Sequence, residues 1–292
     1  MKILLTGADG QLGQELRRST PTTHELIGSD LAGLDITDQD GVARKFEELE
    51  PDLVINAAAY TAVDRAERER DLAFKVNADG ARNVSRAAAS RGARVIHIST
   101  DFVFDGRQSR PYRPLDTPNP QSAYGASKLQ GEEYVSEATG GTALILRTAW
   151  LYSRFGTNFV TAMLSRMRDG KTLQIVADQI GTPTWARGLA GAIWQAAEIR
   201  HLQGLYHWTD AGVASWYDFA VAIQEEGLSR GLLSRPVQIH PVGTRDYPTP
   251  AQRPSYSVLD KSETWARLAI QPQHWRVALR SMLTELGETG NV

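Results

Sequence analysis

The chain has 292 residues, with 32 lysines and arginines against 34 aspartates and glutamates, so its net charge is −2. That length predicts one large or two modest domains, and the near-neutral charge argues against nucleic acid as a partner. Cysteine is absent, which excludes disulfides, thiolate metal sites and thiol nucleophiles. No apolar run approaches the roughly 18 residues of a membrane span, and the first apolar stretch is too short for a signal peptide. We therefore expect a cytoplasmic protein with no membrane partner.

Apolar runs and helical periodicity alternate through the first half of the chain. Strands are predicted at 2–6, 24–29, 53–59, 94–99 and 143–148, and helices at 10–18, 38–49, 71–90 and 122–137. Strands that alternate with helices favour an α/β fold with a doubly wound parallel sheet of the Rossmann type. Residues 1–150 are therefore assigned to this first domain.

The pattern changes after Trp150, because glycines and prolines interrupt shorter segments and the tryptophans concentrate there. Residues 151–292 are predicted to form mainly a second, smaller domain that is interleaved with the first. The apolar segments 173–177 and 237–242 are predicted as later strands that return to the first sheet. The proline-rich segment 105–122 is predicted as a surface loop over a site.

Gly7, Gly10 and Gly13 stand between the first strand and the first helix. Glycine at these places allows a tight turn, the approach of a pyrophosphate to the backbone and close packing of the helix, whose N-terminus attracts the anion. Asp30 ends the second strand, where a carboxylate binds ribose hydroxyls. The pattern predicts an NAD(P)-binding domain in which Asp30 favours NADH without excluding NADPH. An ordinary cluster of loop glycines is the plainer alternative.

Tyr124 and Lys128 are four residues apart on a predicted helix, so the phenol and the ammonium share one face. A phenol with a pKa near 10 exchanges protons poorly at neutral pH unless a cation such as Lys128 stabilises the phenolate. Thr100 follows the fourth strand between Ser99 and Asp101, at the edge of the sheet where ligands bind. Thr100 and Tyr124 would then polarise a carbonyl group together. A solvated helix face and a polar strand end are the plainer alternatives.

An ordered set of further segments accompanies these motifs. The segments are LLTG at 4–7, GQLG at 10–13, NAAAYTAVD at 56–64, STDFVF at 99–104, YGASK at 124–128, RTAW at 147–150, NF at 158–159, DQIGTPT at 178–184 and YPTPAQRP at 247–254. With them the chain resembles the extended short-chain dehydrogenases/reductases. Within that superfamily it is similar to the dTDP-4-dehydrorhamnose reductase family across nearly its whole length.

The resemblance implies reduction of the C4 ketone of dTDP-4-dehydro-6-deoxy-L-mannose to dTDP-L-rhamnose, with NADPH or NADH as cofactor and Tyr124 as proton donor. The cofactor contacts that it implies are Gly10, Gln11, Leu12, Asp30, Asp35, Ile36, Ala59, Tyr60, Thr61, Tyr124 and Lys128. It implies substrate contacts at Thr100, Asp101 and Trp150. Arg253 is a further candidate, for the diphosphate, because a guanidinium binds phosphate bidentately. A structural ion pair is the alternative for Arg253.

Some members of the family that the chain resembles form a dimer bridged by magnesium through three carboxylates. Glu15 and Glu285 match the first and last of these positions, but Arg187 stands at the middle one. A cation there repels magnesium, so the metal is disfavoured and no metal ligand is assigned. A homodimer without that bridge stays open. The six histidines show no metal-ligand spacing either.

Two other functions stay open besides the reduction of a dTDP-sugar. One is a nucleotide-sugar epimerase or dehydratase on the same scaffold. Dehydratases commonly carry Asp-Glu directly after the threonine, and here Phe102 follows Asp101, which favours simple reduction. The other is a non-catalytic NAD(P)-binding regulatory subunit, which would not require Thr100, Tyr124 and Lys128 together.

Overall fold

Strands and helices alternate along the chain in the computed structural model, which describes residues 1–271 and 273–288. The strands are β1 (Lys2–Thr6), β2 (Glu25–Ser29), β3 (Leu53–Asn56), β4 (Arg94–Thr100), β5 (Leu144–Thr148), β6 (Leu151–Tyr152), β7 (Leu173–Val176), β8 (Ile180–Gly181), β9 (Thr184–Trp185), β10 (Gly204–His207), β11 (Ala214–Ser215) and β12 (Ile239–Val242). The helices are α1 (Gln11–Arg18), α2 (Gln39–Leu49), α3 (Val63–Ala66), α4 (Arg70–Phe74), α5 (Ala81–Ser90), α6 (Ala123–Ala138), α7 (Phe159–Arg168), α8 (Ala186–Glu198), α9 (Trp216–Ser229), α10 (Ser262–Leu268) and α11 (Trp275–Glu288).

Six of these strands form one sheet in the order β10–β5–β4–β3–β1–β2. Every neighbouring pair in it is parallel, which confirms the predicted Rossmann-type fold. The direction in which strands are added reverses between β1 and β3. In such sheets ligands bind outside the carboxyl ends of the strands at the point of reversal.

The strands of this sheet are covered on both faces. Ile3 and Leu5 of β1 face a core that includes α1 and α8, while Leu4 between them faces a core that includes α2, α5 and α6. All three side chains are fully buried, and burial of each stabilises the fold by roughly 1.5–3 kcal/mol. The near-continuous apolar sequence of β1 follows from this double covering.

The later strands pair differently from the prediction. β7 and β12 do form within 173–177 and 237–242, but they pair with each other in a separate two-stranded sheet. The prediction that they return to the first sheet is therefore wrong, and β10 joins it instead, beside β5. His240 and Pro241 of β12 are exposed, and proline lacks the N–H that an inner strand donates, so β12 suits an edge.

A second core lies among α7, α9 and α11, where Leu164, Phe219 and Leu279 are buried together. The first core also draws on this half of the chain, since Ile193 of α8 and Tyr206 of β10 belong to it. The sheet domain thus extends beyond residue 150, and the two halves are interleaved.

Smaller features complete the fold. The predicted helix at 71–90 consists of α4 and α5 joined by a π-helical segment, Lys75–Gly80. The segment 105–122 runs from β4 to α6 without a helix or a strand of its own, as predicted for a loop. Across the described part of the chain, every helix is too short or too polar to cross a membrane.

Candidate active site

A cavity of about 720 Å³ opens at the carboxyl ends of the parallel strands, beside the reversal between β1 and β3. Its lining includes all but one of the residues that the sequence singled out. They are Gly7, Gly10, Gln11, Leu12, Gly13, Asp30, Asp35, Ile36, Ala59, Tyr60, Thr61, Thr100, Asp101, Tyr124, Lys128 and Trp150. Arg253 is the exception. The fold thus brings the predicted cofactor residues and the predicted catalytic residues to one cleft.

The glycine turn between β1 and α1 depends on two of its three glycines for packing. Gly7 has φ +71°, and a Cβ there would lie 2.6 Å from Ala58 N. A Cβ on Gly13 would lie 2.2 Å from the carbonyl oxygen of Gly7, so no side chain fits. Gly10 is exposed, and a Cβ there would make only ordinary contact, at 3.4 Å. Any need for glycine at position 10 therefore comes from outside the protein, as a pyrophosphate would impose.

The first turn of α1 is suited to an anion. Gly10 precedes it without a side-chain cap, and the first turn carries no acidic residue, so its N–H groups have no side-chain acceptor. Gln11, which lines the cavity, has a buried Oε1 that lacks a protein partner. Both observations fit a dinucleotide bound over this turn.

Asp30 is held rigidly at the end of β2. Its carboxylate accepts hydrogen bonds from the backbone N–H of Asp9 at 2.8 Å and of Leu31 at 2.7 Å. Asp9, on the glycine turn, also pairs with Arg17 at 3.3 Å. The Asp30 carboxylate thus has a fixed position in the cavity wall, as ribose recognition requires.

The start of α6 places Tyr124 against the end of β4. Ser122 caps the helix by accepting a hydrogen bond from the N–H of Gly125 at 3.1 Å. A Cβ on Gly125 would lie 2.2 Å from the carbonyl oxygen of Phe102, so the helix and the strand end approach as closely as backbones allow. This approach brings the Tyr124 phenol to the Thr100 hydroxyl.

The pKa of the Tyr124 phenol is raised to about 12, chiefly by burial and in smaller part by the Asp101 carboxyl, against a hydrogen bond with Thr100 that lowers it. The phenol therefore keeps its proton at neutral pH. A protonated phenol beside a hydroxyl can donate to a carbonyl oxygen that gains negative charge, and it can release the proton to that oxygen.

Lys128 lies one helical turn beyond Tyr124 and is buried. Its Nζ donates a hydrogen bond to the carbonyl oxygen of Ile98 at 2.6 Å. Burial lowers the pKa of Lys128 to about 8, and the Glu132 charge opposes this effect. Burial, Thr100 and Asp101 account for the pKa of Tyr124 in this structure, so the effect of Lys128 on the phenol stays a prediction.

A buried row of polar side chains stands behind Lys128. Thr6 Oγ1 donates to Asn56 Oδ1 at 2.7 Å, the Asn56 amide lies 3.2 Å from His97 Nδ1, and His97 Nε2 lies 3.5 Å from Lys128 Nζ. Burial, and then the Lys128 charge, hold the pKa of His97 well below its usual value. The sequence did not predict this row. Its signal was a polar residue within each of three apolar strands, at the end of β1 and β3 and in the middle of β4.

Asp101 begins the 3₁₀ turn Asp101–Val103 and is buried. Thr100 Oγ1 donates to its Oδ1 at 3.1 Å. Burial raises the pKa of Asp101 to about 6, against hydrogen bonds with Ser257 and Thr100 that lower it. The cavity therefore contains a carboxyl group that changes charge within the physiological range.

A buried ion pair ties α6 to β4 and β5. Arg147 binds Glu132 through two hydrogen bonds of 2.8 and 2.6 Å. Ser99 Oγ donates to the same carboxylate at 2.5 Å. This clamp fixes the helix that carries Tyr124 and Lys128 on the strands below it.

The second half of the chain contributes cavity residues that the sequence analysis missed. Asn158 and Phe159 come from the start of α7, and Trp216 is the first residue of α9. Trp150, which was predicted, has the unusual backbone angle φ +48° and stacks on Trp216. The sequence does not predict the contact between Trp150 and Trp216, because that contact depends on how the second core packs on the sheet.

Arg253 forms a bidentate ion pair with Asp64, with N–O distances of 3.1 and 2.8 Å. The pair attaches the segment 247–254 to α3. The ion pair that the sequence left open is therefore present, and the candidate role at a diphosphate lacks support from the cavity lining.

The carboxylates at the family's magnesium positions are engaged with other side chains. Glu285 pairs with Arg187 and also with Arg18, the latter at 2.6 Å. Glu15 is buried and accepts a hydrogen bond from Ser153 Oγ at 2.7 Å. Over residues 1–271 and 273–288, no group of three or more acidic, histidine or cysteine side chains is arranged to hold a metal ion.

The family model described as the RmlD substrate binding domain matches residues 1–288. The chain belongs to this family. It is 41% identical over 286 residues to the spore coat polysaccharide biosynthesis protein SpsK of Bacillus subtilis, with 97% of each chain covered. It is 38% identical over 290 residues to a dTDP-4-dehydrorhamnose reductase of Aggregatibacter actinomycetemcomitans, with 96% of this chain and 98% of the relative covered.

Solved structures agree with this family. A dTDP-4-dehydrorhamnose reductase of Clostridium acetobutylicum superposes with a TM-score of 0.91 at 41% identity, covering 98% of this chain and 99% of that one. The enzyme of Bacillus anthracis, in complex with NADP, gives a TM-score of 0.91 at 36% identity, covering 97% and 99%. The resemblance inferred from the sequence is thereby confirmed. A UDP-glucose 4-epimerase of Thermus thermophilus, at 21% identity and a TM-score of 0.84, shares the fold.

Proposed function

We propose that the protein reduces the C4 ketone of dTDP-4-dehydro-6-deoxy-L-mannose to dTDP-L-rhamnose, with NADPH or NADH as the reductant. The observation that carries the proposal is that the partly buried Tyr124 phenol lies beside Thr100 in the same cavity as the glycine turn. Relatives that match the whole chain are named dTDP-4-dehydrorhamnose reductases, and one solved relative is in complex with NADP.

The cavity fits a nicotinamide dinucleotide. The exposed Gly10, the uncapped first turn of α1 and the unpartnered Gln11 Oε1 suit a pyrophosphate, and the fixed Asp30 carboxylate suits ribose hydroxyls. When bound, the cofactor supplies the hydride. The residues that would hold it are Gly7, Gly10, Gln11, Leu12, Gly13, Asp30, Asp35, Ile36, Ala59, Tyr60, Thr61, Tyr124 and Lys128.

Tyr124 is the proton donor in this proposal. Its phenol is protonated at neutral pH because burial raises its pKa to about 12. The proton passes to the C4 oxygen as that oxygen gains negative charge, which leaves a phenolate. The single Thr100 proton, which is donated to Asp101 Oδ1 at 3.1 Å, can turn to the substrate oxygen before the transfer and to the phenolate after it.

Lys128 and the burial of the site support this transfer. The Ile98 carbonyl fixes the Lys128 amine one turn from Tyr124, so a positive charge is available when the phenolate forms. Thr100, Asp101 and Lys128 are at most 5% exposed, and charges attract each other more strongly where water is excluded. Asp101 and Trp150 complete the proposed substrate contacts, and Arg253 is not among them.

The other functions have less support from the site. Phe102 follows Asp101 at the strand end and supplies no second carboxyl for the elimination of water. A regulatory subunit would have no use for the Tyr124, Thr100 and Lys128 arrangement. A cytoplasmic location, where reduced nicotinamide cofactors are regenerated, and a homodimer are further parts of the proposal.

The test is turnover by the purified protein. We expect oxidation of NADPH or NADH in the presence of dTDP-4-dehydro-6-deoxy-L-mannose, with dTDP-L-rhamnose identified by mass spectrometry and NMR. UDP-glucose and dTDP-glucose serve as substrates for the epimerase and dehydratase alternatives. No cofactor oxidation with the proposed substrate, or conversion of either alternative substrate, contradicts the proposal.

A further inference from the structure

Two indole rings from distant parts of the chain form one wall of the cavity. The rings of Trp150 and Trp216 are parallel, with centroids 3.5 Å apart and an interplanar angle of 5°. The Phe159 ring lies 4.7 Å from Trp216 at an angle of 48°. Both indoles are half-buried and line the cavity. The stack therefore presents a broad apolar surface to whatever the cavity binds.

The position of Trp150 in this wall is fixed by the backbone. Its φ of +48° is a conformation that bulky residues rarely adopt. Gly181 lies so close that a Cβ there would be 2.5 Å from Trp150 Cε2. The structure thus keeps the indole in place through an uncommon backbone angle and a glycine that leaves it room.

Trp216 is fixed just as firmly. Its Nε1 donates to Gln179 Oε1 at 3.2 Å, and Gln179 Nε2 donates to Thr244 Oγ1 at 3.1 Å. Ser215 caps α9 in a reciprocal box with Asp218, which sets the backbone of the first helical residue. The only polar atom of the Trp216 side chain is therefore already used, and the ring offers the cavity carbon alone.

We propose that Trp216 is a specificity-determining residue that packs against the apolar C–H surface and C6 methyl group of a 6-deoxyhexulose. This inference rests on the proposed function and adds the part of the substrate that is recognised. A hydroxyl on C6 would meet a ring with no free donor and would lose its hydrogen bonds to water. The wall thus favours a deoxysugar over the 6-hydroxy sugar.

The experiment compares the wild type with Trp216→Ala, Trp216→Phe and the control Tyr217→Ala. Tyr217 is the next aromatic residue on α9, is also half-buried and does not line the cavity. Loss of an aromatic contact predicts a KM for the dTDP-sugar that rises by about tenfold or more in Trp216→Ala and by about threefold in Trp216→Phe. The KM for the cofactor and the sugar KM of Tyr217→Ala should stay within about twofold of the wild type.

Circular dichroism gives a second readout, because stacked indoles produce an exciton couplet. The couplet should vanish in Trp216→Ala and persist in Tyr217→Ala, and an unchanged far-ultraviolet helix signal shows that both variants are folded. A folded Trp216→Ala enzyme whose sugar KM stays within twofold of the wild type overturns the inference. If the wild type itself fails to turn over the dTDP-sugar, the proposed function fails, and this inference with it.

Discussion

The two ends of the cavity use different parts of the polypeptide. At the glycine turn, the groups available to a ligand are backbone N–H groups, the exposed Gly10 and the half-buried Asp30. At the end of β4, the working groups are the side chains of Thr100, Tyr124 and Lys128, which are largely removed from water. The difference teaches that backbone groups facing solvent suit the pyrophosphate end of a dinucleotide, while the proposed proton transfer uses ionisable groups removed from water.

The shifted pKa values at the catalytic end have a common cause. Burial raises the pKa of Tyr124 and Asp101 and lowers that of Lys128. Each shift favours the neutral form of the group. At neutral pH Tyr124 is therefore protonated, while Asp101 and Lys128 keep most of their charge but titrate within about one pH unit of neutrality.

Tyr124→Phe should have the largest effect, and it should lower kcat far more than cofactor affinity. Loss of the general acid predicts a kcat that falls by about a thousandfold, while the affinity for NADPH should fall by no more than about fivefold, because Tyr124 is one of many proposed cofactor contacts and the pyrophosphate is held by backbone groups. Steady-state kinetics and cofactor titration measure the two quantities. Tyr134→Phe on the same helix, where the ring packs under Arg82, is the control. A Tyr124→Phe enzyme with more than a tenth of wild-type kcat would contradict the assignment.

A side chain added at Gly13 of the glycine turn should destabilise the protein, because it has no room. A Cβ at Gly13 would lie 2.2 Å from a carbonyl oxygen, so Gly13→Ala should lower the free energy of unfolding by about 2–3 kcal/mol and weaken cofactor binding at least about tenfold. Gly191→Ala is the matched control, because nothing lies within 4 Å of that Cβ in the interior of α8. There we expect stabilisation by about 0.5–1 kcal/mol. Equal effects in denaturant titrations of both variants would refute the packing argument.

The pH dependence of the free energy of unfolding tests whether Asp101 is removed from water. Its pKa in the folded protein is about 6, above the ordinary 3.8, so its contribution to stability is full below pH 4 and is lost as the pH rises through 6. Above pH 7, the free energy of unfolding of Asp101→Asn should therefore exceed that of the wild type by about 1–3 kcal/mol. At pH 4 the two free energies should be equal.

The control for this pH effect has the opposite sign. The Arg110 guanidinium lowers the pKa of Asp116 below its ordinary 3.8, so Asp116→Asn should lose stability by a constant amount from pH 8 to pH 4, and by less only below pH 4. Thermal unfolding across pH 4 to 8 separates the two variants. An Asp101→Asn curve parallel to the wild type at every pH would show that the carboxyl is not desolvated.

The smallest effect should come from Arg253, which lies outside the cavity. Because its ion pair with Asp64 is partly exposed, Arg253→Ala should lower stability by at most about 1 kcal/mol. The sugar KM should stay within about twofold. A double-mutant cycle with Asp64→Ala isolates the pair. A tenfold rise in the sugar KM would restore Arg253 as a phosphate contact.

Much of the first region could be predicted from the sequence because its signals are local. The apolar run before Gly7 is β1, and the lack of room for a side chain at Gly13 is set by Gly7 and Ala8, a few residues before it. Tyr124 and Lys128 share a face through helix geometry alone. The rule that ligands bind at carboxyl ends of parallel strands then placed Thr100 beside them.

The strand partners of β7 and β12 and the pKa shifts near Tyr124 could not be predicted in the same way. The apolar pattern identifies β7 and β12 as strands but does not specify their neighbours. The raised pKa of Tyr124 depends on burial by distant elements, which no spacing of residues reveals. His97 and Trp216 acquire their surroundings only when strands and cores come together.

β10 arises from residues 204–207, long after the other five strands of its sheet. β5, whose five residues are all buried, has no partner on its outer side until that segment arrives. During synthesis, β5 remains an apolar edge until more than 50 further residues leave the ribosome. A fragment cut at residue 150 would keep that edge open and lose the α8 cover over α1, so it should aggregate rather than bind a dinucleotide. We therefore expect that residues 1–150 cannot be expressed or transplanted as a folded unit by themselves.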